Sequence, residues 1–111
     1  MKTSRSEKYI VLVDQHNDLV KFAHYLERIV PLKYEEHNVV VDLLKYKDMD
    51  LSKLLVLLKL SNYHRSTKHS FVIVNDAMNI DDIPEEMIVV PTLDEAGDIV
   101  EMEEIERDLG L

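Results

Sequence analysis

The residues best placed to do chemistry are one hydroxyl, Ser52, and two carboxylates, Asp48 and Asp50, which lie within five consecutive positions. Either Asp50 or Ser52 can cap a helix by accepting a hydrogen bond from a free N–H group in its first turn. This position predicts that Ser52 is presented at the mouth of a strand–helix turn. In open α/β sheets, sites lie at the carboxyl ends of strands. We therefore expect the function of this chain to depend on the surroundings of Asp50 and Ser52.

Sequence motifs for catalysis and for metal binding are missing. There is no glycine-rich phosphate loop, and neither G-x-S-x-G nor Ser-x-x-Lys is present to place a nucleophile beside a base. The five histidines lack the H-x-H and H-E-x-x-H spacings of metal ligands. His64 and His69 are interpreted as solvated residues of a basic turn, and the close acidic pairs as loop and capping residues. We expect a protein that is not an enzyme, with no catalytic residue, metal or cofactor.

The strand and helix that position Ser52 lie in the middle of the sequence. The segment from Val39 to Leu43 begins with three consecutive valines, which suit a strand that is covered on both faces, as in parallel sheets. A polar loop follows, and then a helix that begins near Leu51 and carries a leucine-rich run to Leu60. The uninterrupted β-branched run predicts that this strand is central in its sheet.

Strands and helices alternate along the rest of the chain. The predicted order is β-α-β-α-β-(short α)-β-α, which indicates an α/β fold with a mostly parallel or mixed sheet of four to five strands packed with helices. The length favours a single domain spanning residues 1–111, and the polar segment 1–7 is expected to be flexible. The absence of cysteine and of any bilayer-spanning apolar run predicts a cytoplasmic protein that does not contact membranes.

The first and last helices have recognisable ends and faces. Asn17 or Asp18 can cap the first helix and Pro31 ends it, whereas Thr92 and Glu95 form a capping box at the start of the last helix. Apolar residues at helical spacing predict the buried faces, which are Leu19, Phe22, Ala23, Leu26 and Ile29 or Val30 in the first helix and Leu93, Ala96, Val100, Ile105 and Leu109 in the last. A glycine within the last helix predicts a break near residues 101–104.

Charge is distributed unevenly along the chain, whose net charge is −9. Residues 76–111 contain 13 acidic residues and 1 basic residue, whereas residues 1–75 contain 9 acidic and 12 basic residues. A concentrated negative charge repels phosphate backbones, so nucleic acid is not an expected partner. The acidic third is interpreted as a solvated face or, alternatively, as a docking surface for a basic partner.

Three segments carry a pattern that spans about residues 38–100, namely Val39 to Leu60, Phe71 to Val74, and Pro91-Thr92-Leu93-Asp94-Glu95-Ala96. They resemble the STAS domain, the fold of anti-sigma-factor antagonists and of the cytosolic tails of sulfate transporters. In that family, a strand ending in Asp precedes an Asp-Ser-Ser/Thr-Gly-Leu-Gly motif at a helix start. Here Asp42 is followed eight residues later by Asp50-Leu51-Ser52-Lys53-Leu54-Leu55. Ser52 falls on the second hydroxyl position of the motif, which the family's kinase phosphorylates.

The resemblance implies a STAS-like fold and a non-enzymatic regulatory module resembling anti-sigma-factor antagonists. The implied partner is a protein such as an anti-sigma factor or a serine kinase, and phosphorylation of Ser52 would switch its binding. The implied partner-binding surface comprises Asp48, Asp50, Leu51, Ser52 and Lys53. We expect a monomer or a weak homodimer.

The motif departs from the family pattern at three positions. Leu51 replaces the first serine, and Lys53 and Leu55 replace the two glycines, which let a partner's backbone approach closely. The alternative function is therefore a degenerate STAS-like module that binds a protein constitutively, or has a structural role, without a phosphorylation switch.

Overall fold

Strands and helices alternate along the chain, which the computed structural model describes for residues 1–110. The strands are β1 (Lys2–Arg5), β2 (Ile10–Val13), β3 (Val39–Asp42), β4 (Phe71–Val74) and β5 (Ile88–Val90). The α-helices are α1 (Leu19–Lys33), α2 (Leu51–Leu54), α3 (Leu58–Ser66) and α4 (Leu93–Asp108), and short 3₁₀ helices cover Leu55–Leu57 and Ile80–Asp82. Within the described residues, no helix combines the length and apolar character needed to cross a membrane.

The five strands form one mixed sheet in the order β1-β2-β3-β4-β5. Strands β2 to β5 pair in parallel, and β1 pairs antiparallel with β2. Strand β3 lies in the middle, and its three valines are completely buried. This confirms the prediction of a largely parallel or mixed sheet of four to five strands, with this strand at its centre.

Strand β1 is the element that the sequence analysis did not include. Residues 2–5 lie in the segment that we expected to be flexible, yet they pair with β2 along its whole length. The turn between the two strands is closed by a hydrogen bond from the Ser6 N–H to the Tyr9 carbonyl, at 2.9 Å. All four β1 side chains are exposed. This strand is therefore formed by backbone pairing alone, and its sequence shows no alternation of apolar and polar residues.

The two faces of the sheet are covered unequally. Connections between sequential parallel strands are right-handed, which places the intervening helices on one face of a sheet with this strand order. The larger buried cluster accordingly joins α1, α2 and α3 to strand residues that include Ile10, Leu12, Val39, Val41, Phe71 and Ile73. On the other face, Val40, Val72 and Val74 pack against Ala96 and Val100 of α4.

Helix α1 begins and packs as predicted but extends further. Asp18 is the N-cap, and the predicted buried face is Leu19, Phe22, Ala23, Leu26 and Val30. The prediction that Pro31 ends the helix is wrong, because α1 continues to Lys33. A proline removes one helical hydrogen bond, but here this occurs in the last turn. The Tyr34 N–H donates to the Val30 carbonyl at 2.8 Å and completes the helix.

The leucine-rich helix is three consecutive segments, α2, a 3₁₀ turn and α3, and it ends later than expected. The segment around His64 that was predicted as a basic turn is helical as far as Ser66. His64 lies on the inner side of α3, where it is completely buried and its ring centroid is 5.9 Å from that of Phe71. The prediction that His64 is solvated is therefore wrong.

Helix α4 is continuous, so the predicted break near residues 101–104 is absent. Thr92 caps it by accepting a hydrogen bond from the Glu95 N–H at 3.1 Å. Ala96 and Val100 are buried as predicted, but the prediction of an inward Ile105 and Leu109 is wrong, since they are 55% and 68% exposed. Leu93 is also exposed, at 37%.

Polar residues take the inward positions in the second half of α4. Glu103 lies 3.0 Å from the Arg65 guanidinium and accepts a 2.6 Å hydrogen bond from the Ser70 hydroxyl. Arg107 donates to the side-chain oxygen of Asn38 at 3.2 Å. Asn38 and Ser70 lie at the amino ends of β3 and β4 and are buried. This part of α4 is thus attached to the edge of the sheet by hydrogen bonds, which explains why its apolar residues face solvent.

Candidate functional site

The carboxyl ends of β2, β3 and β4 are aligned in one edge of the sheet. Val13 lies opposite Asp42, and Asp42 lies opposite Val74. The loop that follows β3, residues 43–50, is therefore flanked by the loop after β2 and the loop after β4. This is the edge at which sites of open α/β sheets are found.

The loop after β4 holds the central loop through one buried side chain, Asn75. Its amide group donates hydrogen bonds to the carbonyl oxygens of Leu43 and Tyr46, each at 2.9 Å. Its oxygen accepts hydrogen bonds from the N–H groups of Ala77 and Met78, each at 3.0 Å. Asn75 is 3% exposed, so its four hydrogen bonds fix the backbone of two loops without competition from water.

The loop after β2 is attached to the same central loop through Asp14. The Tyr46 hydroxyl donates to the Asp14 carboxylate, which also accepts a hydrogen bond from the His16 N–H at 3.0 Å. The Lys45 ammonium donates to the backbone carbonyl of Asp14 at 3.1 Å. Burial and the hydrogen bond to Asp14 together raise the pKa of Tyr46, so its hydroxyl remains a donor throughout the physiological range.

The predicted site residues meet at the end of this loop and in the first turn of α2. Asp50 is the N-cap and accepts hydrogen bonds from the Lys53 N–H at 3.0 Å and from the Ser52 hydroxyl at 2.9 Å. The Lys53 ammonium lies 2.5 Å from the Asp48 carboxylate and donates to the Asp48 carbonyl at 3.0 Å. Ser52 is exposed. We call Asp48, Asp50, Leu51, Ser52 and Lys53 the Ser52 surface.

The charged groups of the Ser52 surface stabilise one another's ionised forms. The hydrogen bond from Lys53 lowers the pKa of Asp48, and the same contact raises the pKa of Lys53. The backbone N–H of Lys53 and the hydroxyl of Ser52 lower the pKa of Asp50. At neutral pH the Ser52 surface therefore carries two carboxylates and one ammonium group.

Apolar area adjoins these charges. Leu51 is 40% exposed and Leu55, one helical turn later, is 42% exposed. Leu54 lies between them in sequence and is completely buried, so it fixes the segment to the core. A hydroxyl, two carboxylates and two leucines at one exposed helix start can bind a protein surface that offers a cation beside an apolar depression.

The structure contains one further feature of chemical interest, beside α1. A cavity of about 740 Å³ lies beside α1 and is lined by Met1, Asp14, His16, Asp18, Lys21, Phe22, His24, Tyr25 and Arg28. Its lining includes two carboxylates, Asp14 and Asp18, and two basic side chains, Lys21 and Arg28. Within residues 1–110, no group of three or more acidic and histidine side chains is arranged to hold a metal ion.

Sequence reasoning placed Asp50 and Ser52 at the start of a helix, as the structure has them, but it did not identify the residues that hold this loop in place. Asp14 and Tyr46 are separated by 32 positions, and no local pattern connects them. Asn75 directly follows a buried strand, and a polar residue at that position is the signal that could have identified it. His64 was missed because its neighbours in sequence are polar.

His64 provides a test of burial through the pH dependence of stability. Its Nε2 donates to the His37 carbonyl at 2.7 Å, and burial lowers its pKa. An unfolded histidine binds a proton below a pH of about 6.5, whereas the folded His64 resists protonation, so the free energy of unfolding falls as pH falls through this range. Urea titrations at neutral and mildly acidic pH are expected to show a smaller pH dependence for His64→Gln, which retains an N–H donor. Equal pH dependence of both proteins would contradict the assignment.

Comparison with protein-family models and with curated proteins finds no match to this chain. The resemblance to STAS domains thus depends on the residue pattern from Asp42 to Leu55 and on the later segments named above.

Proposed function

We propose that this chain is a non-enzymatic regulatory module, resembling an anti-sigma-factor antagonist, that binds a protein partner through the Ser52 surface. The observation that supports the proposal is the exposed Ser52 hydroxyl in the first turn of α2, 2.9 Å from the Asp50 carboxylate. The spacing from Asp42 to Asp50 and the position of Ser52 match the phosphorylated motif of STAS domains. Phosphorylation of Ser52 is the proposed switch.

The local electrostatics explain how a phosphate would act. It would add about 1.5–2 negative charges beside Asp48 and Asp50. It would also meet the partially positive amino end of the helix, which favours an anion and keeps the modified protein folded. The added charge would repel a partner that is matched to the unmodified surface. The Lys53 ammonium would offset part of that charge, so we expect a graded switch.

A second candidate is supported by Lys53 and Leu55, which stand where the family has glycines. Lys53 is bound to Asp48 through two contacts, and the Leu55 side chain is 42% exposed. These side chains would obstruct a kinase that approaches the backbone closely. In this candidate function the same surface binds a protein constitutively, without a switch.

The partner can be identified by placing a photo-crosslinking amino acid at Leu55 in cells of the native source. The matched control carries it at Leu32 of α1, which is 79% exposed and distant in sequence from the Ser52 surface. A protein that crosslinks from position 55 and not from position 32 is the expected result. Crosslinking of the same proteins from both positions would contradict the assignment of the surface.

The switch is tested by the affinity of that partner for wild type, Ser52→Ala, Ser52→Asp and enzymatically phosphorylated protein. Charge repulsion predicts that phosphorylation weakens binding about tenfold or more, and that Ser52→Ala changes it little. The melting temperature of each form shows whether folding is retained. Equal affinity of all folded forms would favour the constitutive module instead.

A further inference from the structure

The outer side of α4 carries an apolar stripe. Met102, Ile105 and Leu109 are 51%, 55% and 68% exposed. Their spacing of three and four positions places them in one row along the helix. The row covers about 10 Å, because an α-helix rises about 1.5 Å per residue. It points away from Ala96 and Val100, which face the sheet.

The exposed charged residues of the helix that carries this stripe are all acidic. The exposed charged residues of α4 are Asp94, Glu95, Asp98, Glu101, Glu106 and Asp108. Arg107 is the one basic residue of the helix, and it points inward to Asn38 and Ser70. In the part of the chain that the structure describes, only one of these six carboxylates lies within 4 Å of a basic group. It is Glu101, which is 3.4 Å from the Lys8 ammonium.

The exposed apolar residues of α1 provide a comparison. Val20, Tyr25 and Leu32 are also exposed on that helix, at 50%, 39% and 79%. Both positive and negative side chains lie between them, including Lys21 and Glu27. The outer side of α4 is therefore distinguished by the uniformly acidic exposed charges of its own helix rather than by apolar exposure alone.

We propose that the outer side of α4 is a docking surface for a basic amphipathic helix of another protein. Helices bind helical surfaces through apolar residues at positions i, i+3 or i+4, and i+7, which is the spacing of Met102, Ile105 and Leu109. Lysine or arginine residues that flank those positions in the partner would meet the acidic residues beside the stripe. A second copy of this chain is disfavoured because each copy has a net charge of −9.

This surface is separate from the Ser52 surface. Helix α4 packs on the opposite face of the sheet from α2. Substitutions on α4 therefore test this proposal without altering the residues on which the proposed switch depends. Two surfaces on opposite faces would allow the chain to hold two partners at once.

A synthetic helix can test the proposal with the intact chain. The probe is a fluorescent peptide of about 18 residues, roughly five turns, with leucine and lysine arranged so that the leucines form one face. The control peptide has the same composition in scrambled order. Fluorescence anisotropy is expected to show at least about tenfold tighter binding of the amphipathic peptide. Equal binding of both peptides, which would indicate non-specific charge attraction, would overturn the proposal.

Variants of the chain locate the binding. Ile105→Ser removes apolar area without changing charge and is expected to weaken binding of the amphipathic peptide about tenfold. Glu106→Gln is expected to weaken it at low salt and to have less effect at high salt. Leu32→Ser on α1 is the matched control and should leave binding unchanged. Circular dichroism confirms that each variant is folded.

Three results would count against the assignment of the surface. Equal binding by Ile105→Ser and wild type would exclude the stripe as the contact. Loss of binding in Leu32→Ser would place the contact on α1 instead. If sedimentation shows that wild type is a dimer and that Ile105→Ser is a monomer, the occupant of the surface is a second copy of this chain.

Discussion

Replacing Leu54 with alanine is expected to lower the free energy of unfolding by about 2–5 kcal/mol. Leu54 is completely buried in the larger cluster, beneath the first turn of α2. Its removal would leave a cavity where Asp50 and Ser52 are fixed relative to the sheet. Urea unfolding followed by circular dichroism measures the loss. Because proteins of this size are stable by only about 5–15 kcal/mol, the variant is expected to be markedly less stable.

The neighbouring residue provides a matched control for this prediction. Leu55→Ala removes the same atoms from a side chain that is 42% exposed, and alanine has a slightly higher helix propensity. We expect this variant to lose less than about 1 kcal/mol. Equal losses at the two positions would show that the inward and outward sides of this segment have been assigned incorrectly.

Replacing Asn75 with alanine is expected to cost about 2–4 kcal/mol, because it removes a side chain that serves four backbone groups. The Tyr46 carbonyl and the N–H groups of Ala77 and Met78 would lose their hydrogen bonds to Asn75, and the Leu43 carbonyl would keep only the one from the Tyr46 N–H. Urea unfolding measures this loss as well. Hydrogen exchange at Met78, which is buried, is expected to become faster in the variant.

Two further variants separate the contributions of Asn75. Asn75→Asp keeps the acceptor oxygen but loses the donor, so a carboxylate would face two carbonyl oxygens. The protonated form fits better, so relative to wild type the variant is expected to be less destabilised in mildly acidic than in neutral buffer. Asn79→Ala is the control, because Asn79 is exposed and caps only a short 3₁₀ turn. A loss in Asn79→Ala as large as that in Asn75→Ala would contradict a special role for Asn75.

The central strand could be predicted from the sequence because its burial leaves a local signature. Three consecutive valines indicate a strand covered on both faces, and all three are completely buried. Strand β1 leaves no such signature, since its side chains are exposed and its pairing involves backbone groups. Patterns of side-chain polarity detect burial, so an element that buries no side chain is not detected.

The helix start at Asp50 and Ser52 could be predicted because the residues that form it lie within six consecutive positions, from Asp48 to Lys53. The hydrogen bond from Tyr46 to Asp14 joins residues 32 positions apart, and no single segment contains both. The burial of His64 could not be predicted for a related reason, because it depends on Phe71, which belongs to the following strand. Contacts between distant segments depend on the assembled fold and are not encoded in local spacing.

The inner face of α4 was only half predictable. Ala96 and Val100 lie over β4 and β5, where apolar spacing correctly indicates burial. Ile105 follows Val100 by five positions, which places it on the other side of the helix, and Glu103 and Arg107 make the inward contacts instead. Helical spacing from Val100 leads to positions 103 and 107, which are polar, so a search for apolar residues alone could not identify how this side of the helix continues.

The strand order has a consequence for the synthesis of this protein. Every strand pairs with the strand before it in the chain, so each pairing closes only the one connection between neighbours. Folding rates rise as the sequence separation of contacting residues falls. A growing chain can therefore add each strand to an edge already in place as the strand leaves the ribosome. We expect compact intermediates to accumulate from the N-terminus during translation, with α4 docking last onto the exposed face of the sheet.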